Sequence, residues 1–141
     1  MAHDFLLNIV SFEGKIFSGR VTFLKFKSLS GEMGVMAGHV PMLTALQPGS
    51  IVYHSVDGDD VVFISGGIVV INHEEVSILA DHCYVAATLD EARIQEAKNK
   101  AEELMSQRKD TQSYYQAYAE LNRSVLLLQS IQDLHKIRKR Q

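Results

Sequence analysis

One change of pattern, near residue 88, limits more than any other feature what this chain can fold into. Up to residue 87 the sequence consists of short runs rich in Val, Ile, Phe and Leu: FLLNIVS, GKIFSG, RVTFLKFKS, SIVYHSV, VVFIS, GIVVIN and VSILA. Gly, Asp, Asn or Ser separates most of them, which is the punctuation of successive β-strands. VDGDD at 56–60 offers a hairpin turn, because Gly58 accepts positive φ, and NHEE at 72–75 offers a weaker one. IVYHSV alternates as a half-buried strand does, whereas VVFI and IVVI are continuous and suit strands covered on both faces. Many short strands with turns every few residues predict an antiparallel sandwich or barrel over residues 1–87.

From Thr88 the residues are helix formers. Thr88 and Glu91 have the spacing of a capping box, and LDEARIQEAKNKAEELMSQ follows. Its apolar stripe, Ile94, Ala97, Ala101 and Leu104, is narrow and alanine-rich, so a second helix can approach closely. RKDTQS interrupts. A second helix is expected from near Ser113, with Tyr114, Tyr118, Leu121, Val125 and Leu128 as its stripe and Ile131, Leu134 and Ile137 extending it. Residues 88–141 therefore read as an antiparallel α-helical hairpin. Neither helix carries enough apolar surface to stand alone. The hairpin rests on the β-domain, on a partner, or on each in turn, so both a static hairpin and a mobile arm remain open.

Charge divides along the same line. Residues 1–87 have a net charge of −5 and residues 88–141 of +2, the second half carrying HKIRKR at 135–140. A net charge of −3 argues against nucleic acid as a partner. No apolar run approaches the ~20 residues of a membrane span, and MAHDFLLNIV has no basic region of a signal peptide, so lipid insertion is not expected and the chain should start in the cytoplasm. Cys83 is the sole cysteine, which fits a reducing compartment and a filler role.

The sequence holds little that looks catalytic. His3, His39, His54, His73, His82 and His135 are scattered, with no metal-binding spacing among them. SGGIVV leads into no helix, and GEMGVMAG does not end in Lys-Ser/Thr, so neither is a phosphate loop. The one free-standing enzyme reading uses His39 with Ser11 or Ser65 on a small-ligand sandwich. The segment GEMGVMAGHVPMLTALQPG, residues 31–49, holds both prolines and four of the nine glycines. Between its turns stand Met33, Val35, Met36, Val40, Met42 and Leu43, more apolar side chains than one loop can bury. It reads as an interaction face with His39 at its edge.

Those residues closely resemble the ε subunit family of the bacterial F-type ATP synthases. VSFEGKIFSG looks like the family's opening strands, and residues 31–49 look like its G-E-L/M-G-I/V-x-P-G-H-x-P-L/M-L-T-x-L-x-P-G segment, with Ala37 where a proline usually sits. FISGGIVVINHEEVSILAD and LDEARIQEAKNKAEE follow in register, so the resemblance covers essentially the whole chain. It implies a β-sandwich of about ten strands followed by a helical hairpin. It implies a non-catalytic subunit of the rotating central stalk, coupling proton-driven rotation of the c ring through the γ subunit to ATP synthesis. The implied location is peripheral, on the cytoplasmic face of the bacterial plasma membrane.

By motif match, the resemblance puts Ser11, His39 and Met42 towards γ and Glu32 towards the c ring. The hairpin would leave the sandwich, enter the α/β hexamer and block ATP hydrolysis, with Arg123, Lys136, Arg138, Lys139 and Arg140 meeting acidic loops of the β subunits. No cofactor is implied, save a regulatory ATP in some members, bound through an I/L-D-x-x-R-A motif. Here Leu89, Asp90 and Arg93 match that motif, Ile94 replaces its alanine, and Lys100 stands for a first-helix arginine. The second-helix arginines of the strong binders appear as Val125 and Gln129. An ATP-sensing module is thus the alternative, against a capping Asp90 and a surface Arg93.

Overall fold

The computed structural model describes residues 3–107 and 110–140. Nine strands come first: β1 (Phe5–Ser11), β2 (Gly14–Ser28), β3 (Gly31–Val35), β4 (Met42–Leu46), β5 (Gly49–Ser55), β6 (Gly58–Ile64), β7 (Gly67–Ile71), β8 (Glu75–Ala80) and β9 (Cys83–Val85). A 3-10 turn, Ala86–Thr88, leads into α1 (Glu91–Ser106) and α2 (Thr111–Arg140). The hydrogen-bonded order is β1-β8-β7-β4-β2-β5-β6-β9, with β3 added to β2 and β1 pairing β2 as well. All pairings are antiparallel but one. β1 runs parallel to β8, which the sequence reading did not foresee; more than sixty residues separate the two, ample for the crossover such a pair requires.

β2 belongs to both layers of the sandwich. Its first half pairs β1, and its second half pairs β5 and β3. At Thr22 the register against β5 slips, and the buried set moves from Val21 to Leu24, Phe26 and Ser28. This is a bulge: one extra residue on β2 changes which face every later side chain takes. The main core lies between the layers and includes Phe5, Leu7, Ile9, Leu24, Phe26, Ile51, Tyr53, Val62, Ile64, Val69, Ile71, Val76 and Ile78.

β5 and β6 are covered twice. Ile51, Tyr53, Val62 and Ile64 face the main core, while Val52 and Val61 face outward into a second cluster with Ala86, Leu134 and Ile137. VVFI is thus buried on both faces, as its continuity suggested. IVVI is not: Val69 and Ile71 are buried, but Ile68 is exposed and Val70 only half-buried.

Two helix expectations need correcting. The N-cap of α1 is Asp90, whose Oδ1 accepts the Arg93 N–H at 3.3 Å, and not Thr88. Thr88 closes the 3-10 turn instead, its hydroxyl donating to the Val85 carbonyl at 2.7 Å, so α1 starts after the site of the expected box. In α2 the buried residues are Ala117, Ser124, Leu127, Ser130, Ile131, Leu134 and Ile137, while Tyr114, Tyr118 and Val125 are exposed. The expected stripe followed the largest apolar side chains, but close contact selects small ones. Ser130 is fully buried, donates to the Leu126 carbonyl at 3.2 Å, and accepts from Ser50 of β5 at 2.6 Å. A larger residue there would hold α2 off the sheet.

Gly67, at the start of β7, has φ +150°, and a Cβ there would run into the Leu79 carbonyl oxygen and lie 2.9 Å from the Ala80 Cα. Gly67→Ala should therefore cost about 3 kcal/mol, from backbone strain and overpacking together. A denaturant midpoint close to wild type would show that β7 and β8 part easily.

Candidate functional site

The outer face of the layer made by β4, β7, β8 and β1 is a largely apolar surface. Cross-strand register puts Ala45, Ile68, Leu79 and Val10 in one row, and Leu43, Val70, Ser77 and Asn8 in the next. Directly opposed residues share a face, so these rows form one surface. Leu43 is 69% exposed, Ile68 41% and Leu79 46%. On β5 and β6 the equivalent outward residues are covered by α2; here no element of the described chain covers them.

Phe12 adjoins this face from the β1–β2 turn, its N–H donating to the Asp81 carbonyl at 3.3 Å, and it is 89% exposed. The local cause is a turn used three times. In Ser11-Phe12-Glu13-Gly14 the buried serine hydroxyl accepts the Glu13 N–H and donates to the Gly14 carbonyl. Ser28-Leu29-Ser30-Gly31 repeats both contacts, and Ser55 likewise donates to the Gly58 carbonyl. Each turn ends on a positive-φ glycine and pushes its second residue, Phe12, Leu29 or Val56, into solvent.

This geometry separates the residues the resemblance points to. Ser11 is buried and spends its hydroxyl on its own turn, so Phe12 is the exposed group at that corner. Met42 lies across from the buried Ile71, on the side opposite Leu43. Half-buried His39 has Nδ1 2.9 Å from its own neighbour's Val40 carbonyl, and its N–H donates to Met36. Among the described residues no hydrogen bond joins His39 to Ser11 or Ser65; Ser65 Oγ accepts from the His82 N–H. Without a base on either hydroxyl the nucleophile reading fails. Glu32, on β3, extends beside the β2–β3 turn with Oε1 3.3 Å from Lys25 Nζ, both groups well exposed.

The hairpin residues are likewise spread out. Asp90 is committed to its cap, and Arg93 is exposed with no side-chain hydrogen bond found. Lys100 lines an open groove of about 530 Å³ between α1 and α2, with Ala101, Ser113, Gln116 and Glu120; neither Asp90 nor Arg93 contributes to it. Gln129 donates to Asp133 at 3.0 Å, and Val125 faces solvent. Lys136, Arg138 and Lys139 are exposed and make no ion pair among the described residues, and the side chain of Arg140 lies outside them. Arg123 differs: its guanidinium sits 5.6 Å from the Tyr84 ring centroid, Nη2 donates to Tyr84 Oη at 3.3 Å, and Nη1 is 3.8 Å from Glu120.

Among the described residues no group of three His, Cys, Asp or Glu could hold a metal, and no helix is long and apolar enough to cross a membrane. Residues 4–86 match the β-sandwich domain of the ATP synthase delta/epsilon chain, and residues 88–132 match its long α-helix domain. The chain belongs to the ATP synthase delta/epsilon chain family. It is 38% identical to the ATP synthase epsilon chain of Herminiimonas arsenicoxydans over 98% of its own length and 100% of that chain. Against the epsilon chain of Nitrosospira multiformis it is 41% identical, over 94% and 96% respectively. An epsilon chain is a non-catalytic subunit of the ATP synthase. The fold also matches a chain in a solved Euglena gracilis mitochondrial ATP synthase, OSCP/F1/c-ring, with TM-score 0.80 at 24% identity, covering 93% of this chain and 83% of that one. A central stalk and c-ring structure from Tetrahymena thermophila matches at TM-score 0.56 and 13% identity.

The surface residues that sequence reading missed are Phe12, Ile68 and Leu79. Ile68 and Leu79 carried no signal of their own, since each stands beside another apolar residue in its run and only the structure shows which of the two faces outward. Cys83 is inert in the folded chain, because burial pushes its thiol up to about 11. The thiol should resist alkylation at pH 8 and react only as the pH nears 11 or the chain unfolds. Rapid labelling of native protein at pH 8 would show β9 to be open.

Proposed function

We propose that this delta/epsilon chain is a rotor subunit of a proton-driven synthase, with its sandwich fixed between the γ subunit and the c ring. The observation that carries this reading is the uncovered apolar face of β4, β7, β8 and β1, extended by Phe12. A face rich in exposed Leu, Ile and Phe suits a permanent, largely apolar partner. The γ subunit is the partner proposed for it, met by Leu43, Ile68, Leu79 and Phe12 with Met42 and His39 at the border. The β2–β3 turn, with Leu29 at its tip and Glu32 on its flank, is the proposed contact with the polar loops of the c ring. A charged Glu32 there would fix register more than it adds affinity. In this proposal the chain works on the cytoplasmic face of a bacterial plasma membrane without entering the lipid.

The same proposal makes α1 and α2 a brake on ATP hydrolysis. The support is the exposed cations Lys136, Arg138 and Lys139 near the end of α2, with Arg123 earlier on the same helix, which an acidic surface of the α/β hexamer would attract once the hairpin extends. Two experiments test the two halves. Ile68→Asp with Leu79→Asp should leave the chain folded and weaken binding to γ by at least about 100-fold, since a buried unpaired charge costs several kcal/mol; unchanged affinity would remove the face from the γ contact. A chain stopped after Ala87 should raise ATP hydrolysis of membranes while proton pumping stays coupled. Unchanged hydrolysis would mean that the hairpin is no brake, and the rotor role would survive that result.

A further inference from the structure

α2 leaves most of its cations in solvent but commits one to the sandwich. Arg123 lies over the face of Tyr84 at 5.6 Å and donates to its hydroxyl at 3.3 Å, which gives one guanidinium two attachments to one side chain. Tyr84 does not float: its ring stacks on Phe63 of β6 at 6.3 Å and 24°, and Phe63 is buried. The path from α2 to the core is therefore continuous through Arg123, Tyr84 and Phe63. Tyr84 stands on β9, an edge strand of three residues held only to β6, immediately before the 3-10 turn that starts the hairpin. A contact at that place restrains the joint about which the hairpin would leave.

We propose that Tyr84 is the latch of the hairpin, holding α2 on the sandwich by occupying Arg123, and that it competes for this arginine with any acidic partner surface. The consequence in the assembled synthase rests on the brake reading above; the latch itself is a property of the isolated chain. Further along α2, attachment is apolar and small-residue in kind: Ser130 on Ser50, and Leu134 and Ile137 on Val52, Val61 and Ala86. Those contacts release no cation when they part. Arg123 is exchanged, because its docked ligand is an aromatic face and hydroxyl that a carboxylate can replace with a stronger charge-assisted bond.

Hydrogen exchange of the full chain, followed at α2 amides between Ser124 and Ile137 and at Tyr84–Ala86, measures the latch. Tyr84→Leu should speed exchange there about three- to tenfold, the scale of a lost cation–π contact and hydrogen bond. Tyr84→Phe, which keeps the ring, should do less. Arg123→Ala should match Tyr84→Leu, and the double variant should add nothing further. Exchange at Ile9 and Val69 in the main core should stay at the wild-type rate in every variant; faster exchange there for Tyr84→Leu shifts the decision to Arg123→Ala, which alters only the helix surface. As a lock, Ser50→Cys with Ser130→Cys replaces hydroxyls 2.6 Å apart, and its disulfide should abolish the effect of Tyr84→Leu. Effects that multiply in the double variant, an Arg123→Ala chain that exchanges like wild type, or a persisting effect in the locked chain would each overturn the proposal. A brake that fails in membranes while these couplings hold would leave the latch intact and remove only its use.

Discussion

The β5–β6 pair must be covered on both faces, and the rest of the architecture answers that requirement. Inward, Ile51, Tyr53, Val62 and Ile64 need the opposite layer; outward, Val52, Val61 and Phe63 need something that is not a sheet. α2 supplies it, and its buried serines follow from the closeness of that contact. Each of Leu134 and Ile137 contributes about 1.5–3 kcal/mol on burial. That helps to dock a helical hairpin which cannot stand alone. The same pair thus ties the core of the sandwich to the position of the arm.

The two layers present the same class of residue to the outside with opposite results. Over β5 and β6 the chain provides its own cover. Over β4, β7, β8 and β1 the described residues provide none, and Leu43, Ile68, Leu79 and Phe12 stay in solvent. Under the proposed function, this asymmetry separates an internal interface that opens from an external one that stays closed. The serine turns sharpen the distinction. By satisfying their own backbone groups they free Phe12 and Leu29 from any packing duty within the chain, and rigid apolar tips remain.

The β-then-α order and the change near residue 88 were legible as pattern, because each depends on neighbours close in sequence. Family membership was legible in the motif of residues 31–49. The helix start was misjudged by a short distance, since Thr88 and Asp90 are both good caps and only the 3-10 turn decided between them. The stripe of α2 was misjudged because hydropathy ranks Tyr118 and Val125 above Ser124 and Ser130, whereas the contact with β5 selects by size.

What the sequence determined by itself was therefore local: which stretches extend, which coil, and which turns close on their own serine. Tertiary structure alone decided which faces those stretches show. The bulge at Thr22 shifts the phase of β2, the parallel pairing brings β1 beside a strand more than sixty residues away, and Arg123 meets Tyr84 across 39 positions. A side chain's face depends on register, and register is set by the partner strand or helix, which lies too far along the chain for any short pattern to encode.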